Sequence, residues 1–159
     1  MTDTPVWLPE LILLSDHDNE WQRYIDFVFS VFYRDFIESQ PHHGEHRVSC
    51  RKDPVFDGKE AGFWHCASSG PDEDNRTPDI KRCERIAWIR AVIENCGDAI
   101  VSIWKTRKKS DVRVYLWFNE EYLVVLGQRK RYLQLITAFC TDRSHTRNSL
   151  RREFSRALK

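Results

Sequence analysis

Apolar and polar positions along this chain change period twice, from helical to alternating and back to helical. Trp21, Tyr24, Ile25, Val28, Phe32 and Phe36 recur at helical spacing and predict a helix over about 20–39. Asp16, Asp18 and Asn19 supply N-cap chemistry before it. Phe27, Phe29 and Val31 widen the apolar stripe, so burial on more than one side is expected. A second helix is predicted from its cap Asp79 to about Asn95, with Gly97 just past its end. Cys83, Ile86, Ala87, Ile89 and Ile93 carry its period, and Arg82, Arg85 and Trp88 share an adjoining face.

The period then falls to two. Ala99–Lys105, Val112–Phe118, Tyr122–Leu126 and Tyr132–Cys140 read as four strands joined by short turns, which argues for an antiparallel meander. Val112, Val114, Leu116 and Phe118 alternate with Arg113, Tyr115 and Trp117. The first set is assigned to the core. The second is read as a basic-aromatic strip suited to phosphates and unstacked bases, unless the last helix covers it. Helical spacing returns over Thr146–Lys159, where Leu150, Phe154 and Leu158 would dock and Arg147, Arg151, Arg152 and Arg156 would face water. The expected fold class is α+β, with N-terminal helices packed on a four-stranded antiparallel meander and a C-terminal helix. A single domain is expected over 1–159, divided into an arm and helix at 1–49 and a core at 50–159.

Composition narrows the class. Hydrophobic residues make up 41% and aromatics 13% of 159 residues, which excludes a disordered chain. No run reaches membrane-spanning length. Met1–Leu14 holds Asp3 and Glu10 but no Lys or Arg, so it lacks the basic start of a secretory signal, and a cytoplasmic location away from membranes is expected. The five cysteines are odd in number and none shows CxxC spacing, so buried reduced thiols are expected rather than disulfides or a zinc knuckle. The net charge of +1 hides an asymmetry. Residues 105–159 carry 14 Lys and Arg against 5 acids, a balance of +9, and residues 1–104 carry 11 against 19, a balance of −8. A basic final third points to a polyanion partner such as RNA. Arg76, Arg113, Tyr115, Trp117, Arg129, Lys130, Arg147 and Arg151 are its candidate contacts.

Candidate chemistry gathers at Asp57-Gly58-Lys59-Glu60-Ala61-Gly62-Phe63-Trp64-His65. A histidine exchanges protons near neutral pH, and a lysine neutralises a developing anion. Metal-free RNA cleavage needs a base for the 2′-OH, cations for the phosphorane and an acid for the leaving oxygen. His65, Lys59, Arg85 and Thr137 are the catalytic candidates, expected to converge on one cleft. The loop Ser68–Asn75 beside His65 is a candidate gate. His42, His43, His46 and Glu45 are read as a solvated loop, not a metal site, and His17 as exposed. The late strands carry too few acids for a metal nuclease, and no GxGxxG, Walker or GxSxG motif is present, so no metal or cofactor is expected.

Residues 50–155 resemble the BECR ribonuclease superfamily, named for barnase, EndoU, colicin-type nucleases and RelE. The order helix, helix, four-stranded meander is similar. Asp57-Gly58-Lys59-Glu60, Phe63-Trp64-His65, Arg82–Arg90 and Tyr132–Phe139 followed by an Arg-rich end look like a phage- and mobile-element-associated branch. The resemblance implies a nuclease-like core at 50–159 and metal-free RNA cleavage by cyclisation, often as a toxin held by an antitoxin or immunity protein. It carries onto His65 as the branch's FWH histidine, Lys59 as its DGK lysine, Arg85 as its helix arginine and Thr137 as its strand hydroxyl. The chain departs in lacking a barnase-like glutamate on a central strand and a histidine on the last strand. Two rival readings remain open: a non-catalytic RNA-binding module, and a protein-interaction factor such as an antitoxin or anti-host protein using the acidic N-terminal part.

Overall fold

A computed structural model describes residues 4–70 and 75–157. The first helical pattern forms α1 (Trp21–Tyr33), continued by a π-helical turn at Arg34–Glu38. Tyr24, Ile25, Val28, Val31, Phe32 and Phe36 are buried. Phe27 departs from the expected wide stripe, since it is 44% exposed and leans on His17 with ring centroids 4.6 Å apart. Asp18 and Asn19 do not cap α1. They adopt left-handed backbone (φ 58° and 55°) after a 3-10 turn at Leu14–His17, and Glu20 occupies the cap position without a side-chain bond.

The expected His-rich loop is a tight hairpin of β1 (His42–His43) and β2 (His46–Cys50). A second hairpin, β3 (Val55–Phe56) and β4 (Lys59–Glu60), turns at Asp57 and Gly58 with φ 53° and 73°, a conformation glycine accepts at no steric cost. It leads into α2 (Ala61–Ala67), then into β5 (Ser68–Ser69) and β6 (Thr77–Pro78). Residues 71–74 of the candidate gate lie outside the described residues. The second predicted helix is two, α3 (Ile80–Glu84) and α4 (Trp88–Glu94), broken at 85–87. Asp79 caps α3 by accepting from the Arg82 backbone N–H at 3.3 Å. The pair ends at Glu94 with Asn95 as its C-cap, so Gly97 falls in the following turn.

The late strands are β7 (Val101–Lys108), β8 (Asp111–Phe118), β9 (Tyr122–Gln128) and β10 (Leu133–Cys140), each antiparallel to the next. The sheet is larger than the four strands expected, and it is mixed. β2 adds to β10 in parallel and β1 to β2, giving the order β1-β2-β10-β9-β8-β7. The sheet curls, so that Lys105 on β7 acts electrostatically on His43 of the opposite edge strand. A register shift between Leu135 and Thr137 leaves Ile136 as a bulge in β10.

Two apolar clusters lie on opposite faces. One joins α1, α2, α3 and α4 to Val114, Leu116, Phe118, Val124, Leu126, Leu133 and Leu135. The other packs Trp104, Trp117, Leu123 and Val125 against Leu150 and Phe154 of α5 (Ser144–Arg156). Leu158, the third expected docking residue, lies outside the described residues. No helix among the described residues is long and apolar enough to cross a membrane.

Candidate active site

The short helix α2 sets the site. Phe63, fully buried, meets Phe29 and Phe32 edge-on at 5.1 and 5.5 Å, which fixes the inner face of α2 on α1. Gly62 lets the helix start close to β2. A Cβ there would stand 2.7 Å from Cys50 Cβ and 2.9 Å from the Arg51 carbonyl, which accepts the Gly62 N–H at 2.7 Å. Trp64 and His65 are left half-buried on the outer side. Trp64 Nε1 donates to the Phe56 carbonyl at 2.9 Å and the two rings meet edge-on at 5.9 Å, fastening the β3–β4 hairpin over the helix.

Between them lies a cavity of about 220 Å³. Pro54, Phe56, Trp64 and Pro78 form its apolar wall, and His65, Ser68 and Arg76 bring polar groups to it. The arrangement matches the usual anatomy of a ligand site, a mainly apolar concavity with a few convergent polar groups.

The last turn of α2 would leave carbonyls exposed. Two guanidiniums and two hydroxyls cover them. Arg82 Nη1 donates to the carbonyls of His65 (3.0 Å) and Ser68 (2.8 Å), while Thr137 Oγ1 donates to His65 (2.8 Å). Arg76 Nε donates to Ser68 Oγ at 2.8 Å, and its Nη2 donates to the carbonyls of Ser68 and Trp64. Ser68 Oγ in turn donates to Trp64 at 2.6 Å. Cations are stabilised at a helix C-terminus, so both arginines are well placed. Arg82 also lies over the Phe139 ring at 5.4 Å. The backbone that carries His65 is therefore held by three separate elements.

Of the four expected catalytic residues, His65 alone lines the cavity. Thr137 reaches it indirectly, through the His65 carbonyl. Lys59 is buried, with its ammonium 3.0 Å from Asp26, 3.3 Å from the Asp57 carbonyl and 5.5 Å from the Phe29 ring centre. It ties the hairpin to α1. Arg85 ends α3, bonded to the Lys81 carbonyl (3.1 Å) and Glu84 (3.3 Å) and lying over Trp88 at 5.1 Å. Arg76, expected as an RNA contact, lines the same cavity as His65.

The aromatic members of the expected basic-aromatic strip are covered by α5. Trp117 is 2% exposed and donates to Thr141 Oγ1 at 2.9 Å. Tyr115 stacks on Trp104 at 5.2 Å, and Arg113 pairs with Asp111 at 3.0 Å. Arg129 folds back onto Gln134 (3.2 Å) and the Gln128 carbonyl, and Lys130 is exposed beside it. Arg147 donates to the carbonyls of Glu120 and Thr141, and Arg151 forms a bidentate pair with Glu120. These contacts dock α5, so this face offers no exposed tryptophan for a base.

Burial pushes up all five thiols, Cys50 to about 11 and Cys66 and Cys83 to about 12. A thiolate nucleophile needs the opposite shift. Cys66, next to His65 in sequence, is thus a packing residue. Cys50, Cys66 and Cys83 are buried free thiols, whereas Cys96 and Cys140 are only half-buried. Sequence reasoning missed Arg82, Ser68, Phe56 and Pro78. The one signal for Arg82 was its place on the helix face shared with Arg85. Comparison with known protein families, with curated proteins and with solved structures gives no match, so function is read from the His65–Arg76 cavity itself.

Proposed function

We propose that this chain is a metal-independent endoribonuclease whose reacting phosphodiester enters the cavity between His65 and Arg76. The observation that carries the reading is the sharing of one aromatic-walled cavity by a titratable ring and a guanidinium. Phe56 and Trp64 offer ring surface to a base next to the scissile phosphate. His65 takes the 2′-OH proton as O2′ bonds to phosphorus. Arg76, already oriented by its bonds to Ser68 and Trp64, stabilises the charge that builds on the phosphorane oxygens. The bond to the 5′-oxygen then breaks, and that oxygen takes a proton from water at the open mouth. The products are a 2′,3′-cyclic phosphate and a 5′-hydroxyl. Arg82 and Thr137 are positioning residues, since they hold the His65 backbone and do not line the cavity. A nuclease of this kind acts as a toxin or mobile-element effector, and it calls for an antitoxin or immunity protein as partner.

A non-catalytic RNA-binding module is the second reading. It is favoured by the presence of one titratable group on the cavity where two proton transfers are needed. Incubation of the purified protein with tRNA and mRNA in EDTA, followed by end analysis, separates the two. Discrete fragments with cyclic phosphate ends support the nuclease, and intact RNA in a stable complex supports the binding module.

A further inference from the structure

Helix α5 packs on the sheet face opposite α2, and it uses its arginines in two ways. Arg147 and Arg151 are bound to the 119–121 turn and hold the helix in place. Arg152 and Arg156 point elsewhere. With Lys105, Thr106 and Ser149 they line a groove of about 450 Å³ between α5 and the edge strand β7. The groove's one acid, Glu153, accepts from Trp104 Nε1 at 3.0 Å and is directed inward. Arg107, Lys108 and Lys109 extend the positive charge along β7 and into its turn. Among the described residues no carboxylate pairs with Lys105, Arg107, Lys108, Lys109, Arg152 or Arg156.

That concentration is unfavourable for the isolated protein. Like charges at i and i+4 on a helix repel, as Arg152 and Arg156 do. Lysines on an edge strand guard against strand pairing, which accounts for Lys105 and Lys108. It does not account for two unpaired arginines on the facing helix. A bound polyanion does.

We infer that the β7–α5 groove carries the sugar-phosphate backbone of RNA. Its lining is cationic and hydroxyl-bearing, with Ala157 its one small apolar residue. Phosphates need that chemistry, whereas an acidic peptide would also seek apolar pockets for its other side chains. The inference takes its ligand from the nuclease reading and adds a second contact region, remote from the cavity, that engages only a long RNA.

The test uses the full chain and a labelled RNA of about 20 nucleotides, methylated at every 2′-oxygen so that it cannot be cleaved by cyclisation. Arg152→Glu with Arg156→Glu is expected to lower affinity by about 10- to 100-fold at low salt, and the slope of log affinity against log salt is expected to shrink by about two. Arg23→Glu, on α1, is the control and leaves both unchanged. Both substituted arginines are exposed, and the variant's circular dichroism spectrum is compared with the wild type's to check that it is folded. Unchanged affinity and slope in the folded double variant overturn the inference. So does competition by poly-glutamate as effective as that of unlabelled RNA, which assigns the groove to an acidic protein. Cleavage of an RNA dinucleotide, which cannot span both regions, is measured in the same variant. Loss of groove binding with intact dinucleotide cleavage confirms two regions. Absent cleavage in the wild type counts against the nuclease reading and leaves the groove measurement standing.

Discussion

The two faces of the sheet are built from the same alternation and do different work. Under α1 to α4 the face is covered by several short elements, and between two of them, α2 and the β3–β4 hairpin, a cavity remains. Under α5 a single long helix covers the face, and its tryptophans are closed in. Short elements leave gaps at their ends and carry backbone groups that side chains must satisfy, here through Arg76, Arg82 and Thr137. A long helix satisfies its own backbone and seals. The candidate site therefore sits on the patchwork face, and the charge of the other face lies at its rim.

The largest difference between the faces is expected in activity. His65→Ala should lower RNA cleavage by about 10²–10⁴-fold, the range for losing a general acid–base group, with RNA affinity nearly intact. Initial rates on a short RNA and a binding titration check it. Full activity in a folded His65→Ala protein removes the ring from the mechanism.

Trp117→Ala probes the sealed face. It should cost about 3–5 kcal/mol of stability, as large-to-small core changes do, without altering RNA affinity while the protein is folded. Denaturant unfolding and a titration read the two effects. Lost affinity at undiminished stability would restore Trp117 as an RNA contact.

Gly62→Ala probes the patchwork face. The added methyl meets Cys50 Cβ and the Arg51 carbonyl under 3.0 Å, so α2 must shift. A loss of about 1–3 kcal/mol is expected, together with reduced cleavage as His65 moves. Unchanged melting and cleavage would show that α2 is not pinned to β2.

The smallest effect is expected at the hairpin. Lys59 and then Gln22 bond Asp26 and hold its carboxyl below the usual carboxylate range. A lowered carboxylate stabilises the folded state above the ordinary range, and that contribution is lost as pH falls through the lowered value. Asp26 is exposed, so the pair contributes about 1 kcal/mol or less. Protease cleavage at 55–60 should therefore speed up in acid, and Asp26→Asn should show the faster rate already at neutral pH. Equal rates in both proteins at neutral pH would show that the Lys59–Asp26 pair does not fasten the hairpin to α1.

What the sequence disclosed follows from element length. α1 and the strands β7 to β10 repeat their period often enough to be read, and the inward set Val112, Val114, Leu116 and Phe118 is buried as its alternation implies. α2 has seven residues, one of them Gly62, too few for a helical period to show. The parallel pairing of β2 with β10 joins segments far apart in sequence and leaves no local mark. Alternation in β8 announced two faces but could not say that α5 would cover Tyr115 and Trp117 and leave Arg113 half-exposed beside Asp111. His65 was legible because its residue type is informative by itself. Arg82 was not legible as its partner, because it is brought to α2 by the return of the chain through β6 and α3.

NMR titration with a dinucleotide that carries a 2′-O-methyl group, and so cannot be cleaved, asks whether short RNA is handled between α2 and the β3–β4 hairpin. Shifts are expected at the His65 ring, the Trp64 indole N–H and the Arg76 guanidinium, with α5 signals unmoved. Shifts confined to the β7–α5 groove, or absent from His65 and Trp64 at saturation, would contradict that placement of the site.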